Sequence, residues 1–85
     1  MKEIKYVITD AMGLHARPAG LLVKEAARHA CAVTVGVNGA SVDAKRILGV
    51  MKLAAKQGME LTLTFDGPDE DAAAASMAEF LKANL

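Results

Sequence analysis

Val33-Thr34-Val35-Gly36-Val37-Asn38-Gly39-Ala40-Ser41-Val42-Asp43 decides how this chain can fold. Valines alternate with small or polar residues at a period of two, which places one face of a strand toward a core. Asn38-Gly39 then supplies two consecutive residues that accept positive φ, the strongest short-range signal for a two-residue hairpin turn. Ala40 to Asp43 is the returning strand. A hairpin forces at least one antiparallel pair, so a doubly wound parallel sheet is excluded.

Working outward, Ile4, Tyr6 and Ile8 alternate with Lys5, Val7 and Thr9 and predict a first strand, ended by Met12-Gly13. From Ala16 to about His29, Ala19, Leu22, Val23, Ala26 and Ala27 recur at helical spacing. Ile47, Val50, Met51 and Ala54 space as one face of a short second helix, with Gly58 placed to give it a left-handed C-terminal cap. Leu61, Leu63 and Phe65 alternate with Thr62 and Thr64 as a fourth strand, which Gly67-Pro68 ends. Asp69, Glu70 and Asp71 crowd the start of a last helix, where the macrodipole favours negative charge, and Ala73, Met77, Phe80 and Leu81 form its buried stripe. The order is βαββαβα. Polar strand residues such as Lys5, Thr62 and Thr64 leave one sheet face to water, so the expected fold is α+β: an open-faced β-sandwich, a four-stranded antiparallel sheet with three helices on one face. All 85 residues (1–85) form one domain in this reading.

Ten basic residues balance ten acidic ones. Zero net charge excludes a dedicated nucleic-acid binder, which would present a basic total to many phosphates. Cys31 is the one cysteine, so no disulfide framework forms and a reducing compartment is expected. The polar N-terminal stretch is no signal peptide, and no apolar run reaches the roughly 18 residues of a membrane span. These points predict a soluble cytoplasmic protein without direct membrane insertion. The charges are nevertheless polarised. Gly13 to Lys56 holds seven basic residues against Glu25 and Asp43, whereas Gln57 to Leu85 holds six acids against Lys82. Such asymmetry steers a partner.

Gly13-Leu14-His15-Ala16-Arg17-Pro18-Ala19-Gly20 carries the chemistry. Proline is tolerated only in the first turn of a helix, where its missing N–H loses no bond, so the helix begins just before Pro18. His15 then lies at or near the N-cap, with its imidazole beside the free N–H groups of Ala16 and Arg17; an imidazole nitrogen can occupy the place of a capping side-chain oxygen. A bland reading makes His15 only a cap or turn residue. Its neighbours argue for more: the helix N-terminus presents backbone N–H groups to an anion, Arg17 adds a forked guanidinium suited to phosphate, and His15 supplies a nucleophilic nitrogen. Together they predict a site that holds a phosphoryl group and gives it up again.

On these residues, and on the order and length of elements along essentially the whole chain, the sequence resembles the histidine-containing phosphocarrier (HPr) family of the bacterial phosphoenolpyruvate-dependent sugar phosphotransferase system. The resemblance implies a transient phosphohistidine carrier, not a stand-alone turnover enzyme. It implies that His15 is phosphorylated on Nδ1 by enzyme I, which takes the group from phosphoenolpyruvate, and passes it to the A domain of a sugar permease, with Arg17 assisting. It also implies an apolar docking surface of Ile47, Leu48 and Met51. Gly20, Lys24, Arg46 and Lys52 complete the expected partner-binding set. No cofactor is expected, and a shuttle that shows one face to two partners suits a monomer.

Two positions depart from the family pattern. Arg46 stands where members from low-GC Gram-positive bacteria carry a regulatory serine, and an arginine cannot accept phosphate. Met12 stands where members often have a small polar residue. An alternative reading is a regulatory HPr-like module, for example of a nitrogen-related phosphotransfer chain, acting by protein binding through the Ile47, Leu48 and Met51 face. A small-metabolite anion sensor is a third. Other residues fit plainer roles. His29 and Cys31 fall short of a closed metal site, so no metal is expected. Ser41 and Ser76 have no argument placing them beside His15.

Overall fold

A computed structural model describes residues 1–85. Its elements follow the expected order: β1 (Lys2–Val7), α1 (Ala16–Ala27), β2 (Ala32–Val37), β3 (Ala40–Asp43), α2 (Ile47–Lys52), β4 (Glu60–Asp66) and α3 (Glu70–Asn84). The four strands form one antiparallel sheet in the order β1-β4-β2-β3. The hairpin closes as its sequence demands. Asn38 and Gly39 have φ of 53° and 82°, and Val37 pairs with Ala40.

Register explains the layering. Val33 and Val35 pair with Phe65 and Leu63, and all four are buried. The alternate positions Thr34, Thr62 and Thr64 lie on the other face, where the Thr34 and Thr64 hydroxyls meet across β2 and β4. Helices α1 and α3 pack against each other, α3 covers β1 and β4, and α2 rests on α1 and β3. This is the open-faced α+β sandwich. Its core joins Ile8, Leu22, Leu61, Leu63, Phe65, Met77 and Leu81 in one apolar cluster, with no buried polar residue.

Three sequence expectations need correction. Helix α1 ends at Ala27 instead of reaching His29; the N–H groups of Arg28 and His29 bond back to Glu25 and Ala26 in a tightened last turn. Helix α2 is shorter than the pattern suggested, and Gly58 does not cap it. The helix stops at Lys52, the N–H groups of Leu53 and Ala54 bond to Val50 and Met51, and Ala54 itself takes the left-handed conformation, with φ of 51°. The chain has to turn there so that the Ala55 carbonyl can accept the Leu14 N–H at 2.9 Å. Gly58, with φ of 88°, instead leads into β4 and donates its N–H to the Ile8 carbonyl. Within α2 only Val50 is buried; Ile47, Met51 and Ala54 are exposed. In α3, Ala73, Met77 and Leu81 are buried as expected, joined by Ala74, and Phe80 is half-buried.

Candidate functional site

The loop between β1 and α1 is tied down along its length. The N–H groups of Thr9 and Asp10 and the Thr9 hydroxyl all donate to the Leu85 backbone oxygen, and Gln57 Nε2 donates to the Thr9 carbonyl. Asp10 then makes a turn: its Oδ1 accepts the Met12 N–H at 2.8 Å and its carbonyl accepts the Gly13 N–H at 2.9 Å. Gly13 sits against the turn that follows α2. A Cβ built there would lie 2.5 Å from the Ala55 oxygen and 2.8 Å from Lys56 Cα, and φ is +66°. Only glycine fits, for both reasons.

His15 is the N-cap of α1, with φ of −85° and ψ of −176°, and is half-buried. Its N–H donates to the Gly13 carbonyl and its own carbonyl accepts the Ala19 N–H at 2.9 Å, the first bond of the helical ladder. The expected imidazole cap is absent: the side chain makes no capping hydrogen bond. The backbone bonds on either side hold the residue without the ring, and leave that ring uncommitted to α1. The N–H groups of Ala16 and Arg17 precede the first ladder bond, and Pro18, third in the helix, has none to lose. Ala16 and Arg17 are exposed in the first turn of the helix, directly after His15, so N–H groups outside the ladder lie at the end that carries the imidazole and the guanidinium.

The expected partner-binding residues lie on the adjoining elements. Gly20 is on α1 with open space at its Cα, and Lys24 is exposed in the last turn. Ile47, Leu48 and Met51 are 38, 74 and 43% exposed on α2, which packs beside α1. Lys52 is exposed at the end of α2. Arg46 is its N-cap, making no side-chain cap bond, and its guanidinium reaches only Asp43 at 3.8 Å. Two contributors were not anticipated: the clamp of Gly13 and Leu14 on Ala55, and the Asp10 turn. The Asp10-to-Gly13 spacing is a turn signal that could have revealed the second.

The far end of α1 holds a polar cluster separate from this site. Glu25 accepts from the Ser76 hydroxyl at 2.5 Å and from Arg28 at 2.8 Å, and lies 3.2 Å from His29 Nε2. The Ser76 hydroxyl first, then His29 and Arg28, hold the Glu25 carboxyl below its ordinary pKa. Asp69, which begins α3, does not cap its own helix; it accepts the N–H groups of Ala30 and Cys31 at 3.0 and 2.9 Å, and the Ala30 bond is the main reason its pKa is also lowered. Burial pushes the Cys31 thiol up, consistent with an unreactive core residue. No group of three or more His, Cys, Asp or Glu residues could hold a metal ion.

With this geometry in place, the family model for the phosphorylation site of the phosphotransferase-system HPr component matches residues 2–83. The chain belongs to the HPr family. A phosphocarrier protein HPr from Lysinibacillus sphaericus is 43% identical over 81 residues, covering 95% of this chain and 92% of that protein. The solved histidine-containing phosphocarrier protein of a Mycoplasma superposes with a TM-score of 0.93 at 36% identity, covering 96% of this chain and 93% of that one. The Crh protein of Bacillus subtilis, a catabolite-repression relative solved as a dimer with a swapped domain, gives a TM-score of 0.77 at 38% identity, covering 100% and 98%. The function of the HPr family is that of a phosphoryl carrier in the phosphotransferase system, and its members work through other proteins. No helix here is long and apolar enough to cross a membrane.

Proposed function

We propose that this HPr-family chain carries a phosphoryl group on His15, taking it from phosphorylated enzyme I and delivering it to the A domain of a sugar permease. The observation that carries this reading is His15 at the start of α1 with its ring free of capping, next to the open N–H groups of Ala16 and Arg17. In the loading step Nδ1 attacks the donor's phosphorus; the N–P bond forms as the donor's bond to phosphorus breaks, and the reverse exchange unloads it. The doubly charged phosphoryl group is stabilised in both steps by the helix N-terminus and by the Arg17 guanidinium. Both act near the surface, so the group is held but not sequestered.

The partner contacts follow from the surface. Ile47, Leu48 and Met51 supply the apolar centre on α2, with Arg46 and Lys52 at the two ends of that helix and Gly20 and Lys24 on the adjoining α1. A neutralising rim of this kind favours rapid association with an acidic partner and ready release, as a shuttle requires. Arg46, in place of a phosphorylatable serine, keeps a permanent positive charge on that face, and the protein acts as a monomer of one domain.

Incubation with phosphoenolpyruvate and enzyme I is expected to add one phosphoryl mass, lost in acid and kept in alkali. His15→Ala abolishes the increment. An increment that survives His15→Ala overturns the assignment.

A further inference from the structure

We propose that two copies of this chain associate through their β1 edges, strand against antiparallel strand, and so extend the sheet across a two-fold axis at Ile4. β1 stands at one end of the sheet order and is bonded to β4 alone, so its other side carries backbone groups with no partner strand. The hydrogen bonds identify those groups. Ile8, one place beyond β1, donates its N–H to the carbonyl of Met59, one place before β4. Bonding alternates along an antiparallel ladder, so Lys2, Ile4 and Tyr6 turn toward β4 as Ile8 does, and Glu3, Lys5 and Val7 turn their N–H and C=O groups outward. This edge is also the longer of the two: β1 has six residues and β3, at the other end, has four.

The side chains select the register and, with it, the occupant. Glu3 and Lys5 pair with Thr64 and Thr62 on the sheet face that no helix covers, and Val7 and Met1 fall on the same face by alternation. A lysine on an edge strand ordinarily discourages pairing. Here Glu3 and Lys5 are both exposed and neither forms an ion pair within its own chain. An antiparallel second copy centred on Ile4 sets Glu3 opposite Lys5 and Lys5 opposite Glu3. It also sets Met1, 79% exposed, opposite Val7, 49% exposed, so two large apolar side chains that each copy leaves in water cover one another. The outward N–H groups of Glu3, Lys5 and Val7 then meet the outward carbonyls of Lys5, Glu3 and Met1. Sliding the copies by two residues brings Glu3 against Glu3 or Lys5 against Lys5, and sliding by one sets outward groups against inward ones. Only the self-pairing at Ile4 satisfies charge and backbone together. A single strand edge is a small contact, so the association is weak, and at the dilution of phosphoryl transfer each copy is the monomer proposed above. Because α2 rests on β3 at the opposite edge of the sheet, pairing leaves the Ile47, Leu48 and Met51 face uncovered.

The test is sedimentation equilibrium of the untagged chain at low salt, from about 0.05 to about 2 mM, for wild type, Glu3→Lys, Lys5→Glu and the double variant carrying both. Wild type is expected to move from monomer toward dimer mass across this range. Each single variant puts like charges together at both symmetric contacts and should weaken association about tenfold, whereas the double variant restores opposite charges and should return to within about twofold of wild type. Hydrogen exchange on the same samples locates the contact: the amides of Glu3, Lys5 and Val7 should gain protection in the concentrated sample. A wild type that stays monomeric overturns the proposal. So does a dimer indifferent to the single variants, as exchange of whole β1 strands between copies would give, or a double variant as weak as the single ones.

Discussion

At the scale of single residues, the placement of His15 depends on the glycine two residues before it. Gly13 combines a positive φ with a backbone contact that leaves no room for a methyl group. Gly13→Ala must either push the Ala55 turn away or distort the loop that sets His15. The strain and the displaced contact together are expected to cost about 2–3 kcal/mol, a fall in melting temperature of about 10–20 °C. Phosphoryl uptake should fall as well. Thermal unfolding followed by circular dichroism checks the first part, and a variant melting with wild type would show that the clamp is not there. His15, Arg17 and Pro18 were legible in the sequence because a proline fixes a helix start locally. The partner of Gly13 was not legible, since Ala55 belongs to a distant segment and carries no distinguishing chemistry. The absence of an imidazole cap was equally hidden, because the competing backbone bonds of His15 depend on that clamp.

At the scale of elements, α1 and α3 are joined by polar groups at the end opposite His15. Glu25 of α1 accepts from Ser76 of α3, and Asp69 at the start of α3 accepts the amides that follow α1. Both carboxyls have pKa values below their ordinary ones, so both release protons more readily folded than unfolded. The sign follows: their contribution is full above the unfolded values near 4.5 and 3.8 and is lost as pH falls through the lower folded values. Urea unfolding should therefore show stability declining from about pH 5 downward. In Glu25→Gln the decline should be shallower, with stability near neutral pH lower by about 1–2 kcal/mol from the weakened bonds to Ser76, Arg28 and His29. Parallel pH profiles for variant and wild type would remove Glu25 from this role. Element types and order were readable because strand and helix periods differ, and Asn38-Gly39 marks its turn directly. The end of α2 was not. Glycine is the usual left-handed residue, yet Ala54 takes that conformation because the Leu14 N–H needs the next carbonyl. A tertiary bond outweighed a local preference.

At the scale of the whole molecule, the sequence tally of seven basic residues against two acids between Gly13 and Lys56 overstates the free charge. Arg28 is engaged by Glu25, and Lys45 donates to the His29 carbonyl. Arg17, Lys24, Lys52 and Lys56 remain unpaired, with Arg46 only loosely near Asp43, so the surplus concentrates on α1, α2 and the turn after α2. The acids of the C-terminal segment are more occupied: Glu70 binds the Met1 amine, Asp71 lies 3.6 Å from Lys2, and Asp69 binds two amides. A neutral protein thus presents one positive working face. Association with the proposed enzyme I partner should be steered by it, and screening shortens such steering to about 10 Å at 0.1 M salt. The expected outcome is a fall in kcat/KM for phosphoryl uptake of about fivefold between 20 and 300 mM salt. A Lys24→Glu, Lys52→Glu double variant should start slower and show a flatter salt dependence, since less attraction remains to be screened. Rates independent of salt in wild type would mean that the apolar patch alone brings the partners together and that the polarised charge does not guide them.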